Sequence, residues 1–161
     1  MSALICEMAF HAKRQSKTLI DLLHDLYKKY GVYVEKLMSV GFEESKAGKE
    51  KMSQAMTKLR QKTPAQINGI EVLAVEDYMT SVRMDLKTKK TEKITLPTSD
   101  VVLFWLADKS KLIVRPSGTE PKIKLYCGVV TPTLTSINVA VSEAKNKATQ
   151  LLASLNSLLT T

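Results

Sequence analysis

The sequence is poor in the residues that most often build disulfide, redox and metal sites. Its 161 residues include only two cysteines and two histidines. Cys6 and Cys127 lie far apart with no C-x-x-C pattern, and His11 and His24 add no metal-ligand spacing. The sequence therefore predicts neither a disulfide framework nor a metal centre, and both cysteines are expected to be buried thiols in a reducing compartment.

Long apolar runs are also absent. No stretch approaches the roughly 20 residues of a membrane-spanning helix, and residues 1–10 lack the basic start of a signal peptide. A cytoplasmic protein without a membrane partner is the simplest prediction. With 44% hydrophobic residues, the chain is long enough to bury one core of ordinary domain size.

Negative charge is in the minority. The 24 Lys and Arg residues exceed the 16 Asp and Glu residues, which gives a net charge of +8 and favours an anionic ligand. Charge alone cannot choose among a phosphosugar, a nucleic acid and an acidic membrane surface. The densest basic run, Arg83 to Lys93, has no interleaved aromatics that could stack bases. A solvated hairpin whose lysines protect an edge strand is favoured there over a nucleic-acid contact.

The first 64 residues predict helices around one strand. Apolar residues on nearly all sides of residues 3–10 indicate a helix packed on several sides, beginning at Met1. Thr18-x-x-Asp21 predicts the cap of a second helix, which Gly31 ends. Residues 32–42 have strand composition, and Ser45 is predicted to cap a third helix that ends at Thr63-Pro64.

Strand patterns dominate the rest of the chain. The segments 69–75, 101–107, 111–115 and 123–130 are predicted strands, and apolar residues at helical spacing predict a closing helix from Ile137 to Leu159. Trp105 is expected in the core. Helices stand at the ends of a run of strands instead of alternating with them, which is typical of an α+β fold with an antiparallel sheet.

The most informative stretch is residues 112–126, where a strand pattern ends at Arg115 and another begins after Lys122. This pattern indicates a hairpin with a polar loop. Pro116 has no N–H and is expected to end the strand ladder. The loop amides predicted to be free to donate to a ligand are those of Ser117, Gly118 and Thr119.

The loop composition suits a phosphate dianion. Arg115 supplies a planar fork of donors, Lys122 supplies a point charge, and two hydroxyls and a glycine lie between them. Glu120 would repel a bound phosphate. Its carboxylate is therefore expected to point away, towards a sugar hydroxyl or a backbone amide.

The eight residues 115–122 (RPSGTEPK) resemble the C-terminal phosphate-binding loop of the α-D-phosphohexomutases, the phosphoglucomutase/phosphomannomutase family. The resemblance implies an enzyme of four domains around one cleft. A phosphoserine in the first domain donates to a phosphosugar, a magnesium loop lies in the second, and the fourth closes over the substrate. Neither the phosphoserine nor the magnesium loop is expected in this chain.

The resemblance extends over nearly the whole chain and implies a division into two parts. Residues 1–31 are similar to the last helices of the third mutase domain, and residues 32–161 to the fourth. For the fourth domain it implies an antiparallel sheet flanked by helices, of the kind named after TATA-binding protein. Something upstream of Met1 is expected to be missing.

The implied activity is interconversion of glucose 1-phosphate and glucose 6-phosphate through a bisphosphate intermediate. Mg²⁺ and glucose 1,6-bisphosphate would serve the full-length enzyme, and this chain would hold no catalytic or metal-binding residue. Its partners would be the phosphosugar and the upstream domains. The residues implied in binding the non-transferring phosphate are Arg115, Ser117, Gly118, Thr119 and Lys122.

One short segment resembles a second motif of the family but lies at a different position along the chain. Glu43-Glu44-Ser45 is similar to the Glu-Glu-Ser core of the family's sugar-selecting loop, but that loop precedes the helices assigned to residues 2–30. The two carboxylates are therefore assigned to the N-terminal charge of the third helix, with Ser45 as its cap.

The alternative function is a freestanding basic module that binds nucleic acid, which rests on the net charge and the Arg83 to Lys93 run. Salt separates the two hypotheses. Binding to a nucleic-acid backbone weakens steeply with ionic strength, whereas a phosphate loop competes for inorganic phosphate and sugar phosphates.

Overall fold

The computed structural model describes residues 2–132 and 136–160. The helices in these residues are α1 (Ser2–Arg14), α2 (Leu19–Tyr30), α3 (Lys46–Gln61) and α4 (Ile137–Thr160). The strands are β1 (Val32–Gly41), β2 (Gln66–Ile67), β3 (Ile70–Asp77), β4 (Val82–Asp85), β5 (Thr91–Lys93), β6 (Val102–Leu106), β7 (Lys111–Pro116) and β8 (Lys122–Thr131). Met1, where the first helix was expected to begin, lies outside the described residues.

The strands form an antiparallel sheet in the order β1-β8-β7-β6-β3-β4-β5, and β2 pairs with β3 beside this path. Helices α1 and α2 precede the sheet, α3 follows its first strand, and α4 closes the chain. The predicted α+β class, an antiparallel sheet flanked by helices with two further helices at the N-terminus, is confirmed. The Arg83 to Lys93 run forms β4 and β5 at the sheet's edge, as predicted, and β5 is exposed.

One face of the sheet is covered by α3 and α4. Every second residue of β8 is buried against this layer, and α4 packs on β1 and β8. Ala144 and Ala148 of α4 are fully buried, and their small side chains let the helix lie close to the strands. The largest fully buried side chains of the core include Phe104, Leu112, Ile123, Leu125, Leu151, Leu152 and Leu155.

The opposite face, here called the open face, carries the alternate side chains of the same strands and is only partly buried. On β8 these are Lys122, Lys124 and Tyr126, and their neighbours on β7 are Ile113 and Arg115. The predicted hairpin loop lies at one end of this face, because it joins β7 to β8. The register of these two strands therefore decides which side chains surround the loop.

Helix α2 has the ends that its sequence predicts. The Thr18 hydroxyl oxygen accepts from the Asp21 N–H at 3.2 Å, and the Asp21 carboxylate accepts from the Thr18 N–H at 2.7 Å. At the other end, Gly31 adopts a φ of 91°, which favours glycine. A Cβ atom there would lie 2.9 Å from the Thr131 carbonyl oxygen, so only glycine lets α2 turn directly into β1.

The expectation that both cysteines are buried is wrong for Cys6. Cys127 is buried in β8, and burial, together with the nearby Asp108 charge, raises the pKa of its thiol to about 11. Cys6 is exposed. The apolar sequence around it predicted a helix packed on several sides, but in α1 only Ala12 is buried.

Trp105 is half-buried on the open face, which differs from its predicted place in the core. The reason is the alternation of side chains along β6, in which its neighbours Phe104 and Leu106 are buried on the core side. On the open face the Trp105 indole N–H donates to the Glu76 carboxylate at 2.9 Å. The same carboxylate accepts from the Tyr78 hydroxyl at 2.9 Å and from the Arg83 guanidinium at 2.5 Å. Burial alone would raise the pKa of Glu76, but these three hydrogen bonds and the Arg83 charge outweigh burial and lower the pKa.

Stability should depend on the ionisation of Glu76. Because the pKa of Glu76 is lower in the folded chain, its carboxylate stabilises the fold above the unfolded pKa, and this contribution is lost as the pH falls through the folded pKa. Glu76→Gln is expected to reduce the free energy of unfolding at pH 7 by about 1.5–3 kcal/mol, the range for hydrogen bonds to a charged group. Urea unfolding followed by Trp105 fluorescence measures this difference.

The difference between Glu76→Gln and the unsubstituted chain should stay nearly constant from pH 7 down to the ordinary glutamate pKa of about 4.5, and should shrink as the pH falls further, through the lowered pKa of Glu76. Glu50→Gln, at an exposed position on α3, is the matched control and should change little at any of these pH values. A difference that does not shrink below the ordinary glutamate pKa would show that the Glu76 charge does not stabilise the fold.

The two N-terminal helices bury little of the chain's core. Phe10 is 64% exposed and Ile20 is 63% exposed, and the buried core cluster begins at Val32. Tyr27 packs partly against that cluster. We propose on this basis that residues 1–31 and 32–161 are separate structural units, as the sequence predicts.

Deletion of residues 1–31 is therefore expected to leave 32–161 folded. The main loss is the packing of Tyr27, which should cost less than the roughly 1.5–3 kcal/mol of a fully buried large side chain. Cooperative urea unfolding, followed by the fluorescence of the single tryptophan, Trp105, measures the result. A shortened chain without a cooperative transition would place the boundary elsewhere.

Candidate phosphate-binding site

The predicted phosphate loop is a hairpin loop between two central strands. Strand β7 lies between β6 and β8, and β8 lies between β7 and β1. Pro116 pairs with Ile123 at the end of the ladder, and the Ser117 N–H donates to the Lys122 carbonyl at 2.8 Å, which closes the loop. The loop therefore has a rigid base, which suits a binding site.

The prediction that three loop amides are free is wrong for Ser117. Pro116 cannot continue the ladder, but the next residue donates across the hairpin to Lys122 instead. Within the described residues, the amides of Gly118 and Thr119 have no protein acceptor. Two amides, together with the Ser117 and Thr119 hydroxyls, therefore remain as donors for an anion.

Three cationic side chains surround the base of the loop on the open face. Arg115 of β7 lies directly opposite Lys124 of β8, and Lys122 lies two residues before Lys124 on the same face. Directly opposed residues of antiparallel strands have Cβ atoms about 4.5–5.5 Å apart. An anion at the loop would therefore meet Arg115, Lys122 and Lys124 together.

Sequence analysis singled out Arg115 and Lys122 but missed Lys124. The signal that could have identified it is the Lys-Ile-Lys alternation after Pro121, because a strand with Ile123 buried turns Lys122 and Lys124 to the same side. No acidic side chain pairs with Arg115 or Lys124 in the part of the chain that the structure describes.

Glu120 does not take the position expected from the sequence. Its carboxylate was expected to turn towards a sugar hydroxyl or a backbone amide, but it pairs with the Lys122 ammonium group at 3.0 Å. The Lys122 N–H also donates to the Glu120 carbonyl at 2.8 Å, so a tight turn brings the two side chains together. One of the predicted phosphate ligands therefore already has an anionic neighbour.

The loop is also tied to the start of α3. The Phe42 N–H donates to the Pro121 carbonyl at 2.8 Å. Between the loop and the start of α3 lies a cleft of about 490 Å³, lined by Glu44, Ser45, Lys46, Lys49, Thr119, Glu120 and Pro121. The β1–α3 junction is thus a direct neighbour of the loop.

Ser45 caps α3 as predicted, because its hydroxyl oxygen accepts from the Gly48 N–H at 3.0 Å. A Cβ atom on Gly48 would lie 2.0 Å from the Glu43 carbonyl oxygen, so glycine is required for this tight entry into the helix. Ser45 therefore combines a capping role with a place beside the loop, which sequence analysis did not foresee. Glu43 and Glu44, predicted to supply the N-terminal charge of α3, precede this cap, and the first turn of the helix contains no acidic residue.

The site offers groups for binding an anion and few for bond-making chemistry. No group of three or more His, Cys, Asp or Glu side chains that could hold a metal ion occurs in residues 2–132 and 136–160. Over the same residues, no helix is both long and apolar enough to cross a membrane. The chemistry that the site supports is recognition of a phosphate by two amides, two hydroxyls and three cations.

Comparison with known proteins identifies the family of the chain. The family model described as phosphoglucomutase/phosphomannomutase, C-terminal domain, matches residues 49–134. The chain is 41% identical over 132 residues to phosphoglucomutase of Staphylococcus aureus (strain USA300), which covers 80% of this chain and 23% of that protein. It is 37% identical over 123 residues to phosphoglucomutase of Staphylococcus epidermidis, which covers 76% of this chain and 22% of the relative.

A solved structure, parafusin (phosphoglucomutase) from Paramecium, aligns with 83% of this chain and 22% of its own chain. Its TM-score is 0.39 at 14% identity.

The fold, the loop and these matches define a phosphohexomutase C-terminal domain. The chain belongs to the phosphoglucomutase/phosphomannomutase family, and the matched segment runs from the first turn of α3 past the end of β8, so it includes the whole predicted phosphate loop. The chain spans less than a quarter of the length of the phosphoglucomutases described above.

Proposed function

We propose that this chain supplies the phosphate-binding domain of a phosphoglucomutase-type enzyme, which interconverts glucose 1-phosphate and glucose 6-phosphate. The observation that carries the proposal is the cluster of Arg115, Lys122 and Lys124 beside two unpaired loop amides. Such a set of charges and directed N–H groups matches a phosphate dianion, which presents several acceptor oxygens and two negative charges.

Each loop residue has a distinct role in this proposal. Arg115 donates two parallel hydrogen bonds from its planar guanidinium group to the phosphate oxygens. The amides of Gly118 and Thr119 and the hydroxyls of Ser117 and Thr119 complete the phosphate shell. Lys122 supports the charge of the bound phosphate.

The same loop serves both ends of the sugar. A bisphosphate intermediate has to reorient so that either phosphate reaches the phosphoryl carrier, and the non-transferring phosphate then lies in this loop in each half-reaction. The site is suited to this exchange because it recognises phosphate alone. Its cations and amides cluster around one loop, and none of these contacts reads the identity of a sugar carbon.

The magnesium ion that the family implies does not fit the described residues of this chain, because they contain no suitable ligand cluster. Mg²⁺, the phosphoryl carrier and the sugar-selecting residues are therefore assigned to the upstream domains. Glucose 1,6-bisphosphate would bind this chain through one phosphate at a time. A cytoplasmic location accompanies this proposal and is consistent with two unpaired cysteine thiols.

The nucleic-acid alternative has no specific observation in its favour. The only arginine of the predicted basic hairpin, Arg83, already pairs with the Glu76 carboxylate at 2.5 Å. The remaining hairpin lysines protect an exposed edge strand, for which lysine is well suited.

The isolated chain is expected to bind inorganic phosphate at the loop only weakly, because one phosphate on one loop lacks the rest of the cleft; we expect millimolar affinity, which corresponds to about −4 kcal/mol. In an NMR titration, the amide signals of Gly118 and Thr119 should move. Arg115→Lys keeps the charge but removes the bidentate fork, so the affinity should fall about tenfold to a hundredfold, which corresponds to about 1.5–3 kcal/mol.

Arg14→Lys is the control for this substitution, because Arg14 is exposed on α1, far along the chain from the loop. It should leave the titration unchanged. Shifts centred on residues 83–93, or unchanged affinity after Arg115→Lys, would move the anion site away from the loop.

This chain on its own is expected to have no mutase activity, because it lacks a phosphoryl carrier with a bound divalent metal. A coupled assay from glucose 1-phosphate to glucose 6-phosphate, with magnesium and glucose 1,6-bisphosphate present, should give the background rate. Turnover that depends on magnesium and on the concentration of the chain would contradict the proposal that catalysis resides upstream.

A further inference from the structure

The phosphate loop contains a carboxylate that occupies one of its own cations. The Glu120 carboxylate lies 3.0 Å from the Lys122 ammonium group, and both side chains are partly exposed, at 50% and 37%. Two hydrogen bonds fix the backbone beneath them, from the Lys122 N–H to the Glu120 carbonyl and from the Ser117 N–H to the Lys122 carbonyl, each at 2.8 Å. The pair is therefore built into the turn.

The other two cations of the cluster differ from Lys122. Arg115 and Lys124 have no acidic partner among residues 2–132 and 136–160, although they lie opposite each other on the open face. Two cations are thus available to an anion at once, whereas the charge of the third is already partly offset by Glu120. The difference between Lys122 and the other two cations depends on the geometry of the turn, which brings Glu120 to Lys122 alone.

We propose that Glu120 is an intramolecular competitor of the phosphate: its carboxylate pairs with Lys122 when no phosphate is bound and thereby weakens phosphate binding. The inference rests on the proposed phosphate-binding function of the loop. An incoming phosphate dianion takes over the Lys122 ammonium group, and the Glu120 carboxylate moves away from the two new negative charges. When the phosphate leaves, the carboxylate returns to Lys122.

The expected effect of this competition on phosphate affinity is modest, which suits a site that has to release its phosphate. An ion pair between partly exposed side chains is worth little, and repulsion across water adds a comparable amount. Together they should weaken phosphate binding by about twofold to tenfold. A site that must release one end of a bisphosphate and then accept the other gains from such weakening, because a tightly held phosphate would slow the exchange.

The experiment is a pair of NMR phosphate titrations on the 161-residue chain, with the Gly118 and Thr119 amides as reporters. Glu120→Gln should tighten inorganic phosphate binding by about twofold to tenfold at low salt, and the gain should shrink as ionic strength rises. The matched control is Glu44→Gln. Glu44 lines the cleft beside the loop and carries the same charge, but it does not pair with Lys122, so its substitution should change the affinity by less than twofold.

A double-mutant cycle distinguishes competition for Lys122 from a general charge effect. In a Lys122→Gln background, Glu120→Gln should lose most of its effect on phosphate affinity. Equal gains from Glu120→Gln and Glu44→Gln, or an undiminished gain without Lys122, would overturn the inference while leaving the phosphate site intact. Absence of any phosphate shift at Gly118 and Thr119 in the unsubstituted chain would instead overturn the proposed function itself.

Discussion

The pairing of β7 with β8 is the constraint on which the site depends. Side chains alternate between the two faces of a sheet, so a slip of one residue would exchange the core with the surface. Val114 and Leu125 are fully buried and lie opposite each other in this pair. Their burial fixes the register, and the same register places Arg115 opposite Lys124. The cation cluster is therefore a direct consequence of where the core residues stand.

The parts of the fold that the sequence could predict are those that local chemistry decides. The cap at Thr18, the stop at Gly31 and the cap at Ser45 each depend on residues within a few positions, and all three lie where the sequence placed them. The phosphate loop was recognisable for the same reason, since its donors and charges are contiguous. The α+β class followed from the order of helical and strand patterns.

The features that the sequence could not predict depend on contacts between distant segments. Cys6 lies in an apolar sequence, yet burial needs a partner surface, and α1 has little of one in this chain. Trp105 lies on the open face because Phe104 and Leu106 beside it in β6 are buried in the core, and its hydrogen-bond partner there, Glu76, is 29 positions away in the chain. Lys124 could be assigned to the candidate site only once the register of β7 and β8 was known. The contact between the loop and the segment that precedes α3 likewise could not be predicted from the sequence, because Phe42 and Pro121 are far apart in the chain and only the fold brings them together.

The charges around the loop affect both the stability of the fold and the proposed binding of an anion. Like charges directly opposite in a sheet are destabilising, so the opposed side chains of Arg115 and Lys124 carry a cost for the fold. Glu120 pairs with their neighbour Lys122 and with neither of these two cations. In the proposed function, a bound phosphate would relieve the repulsion, because its two negative charges would lie among the three cations. The same repulsion that destabilises the loop would thus favour anion binding, and in our proposal the Glu120 carboxylate would weaken that binding by competing for Lys122.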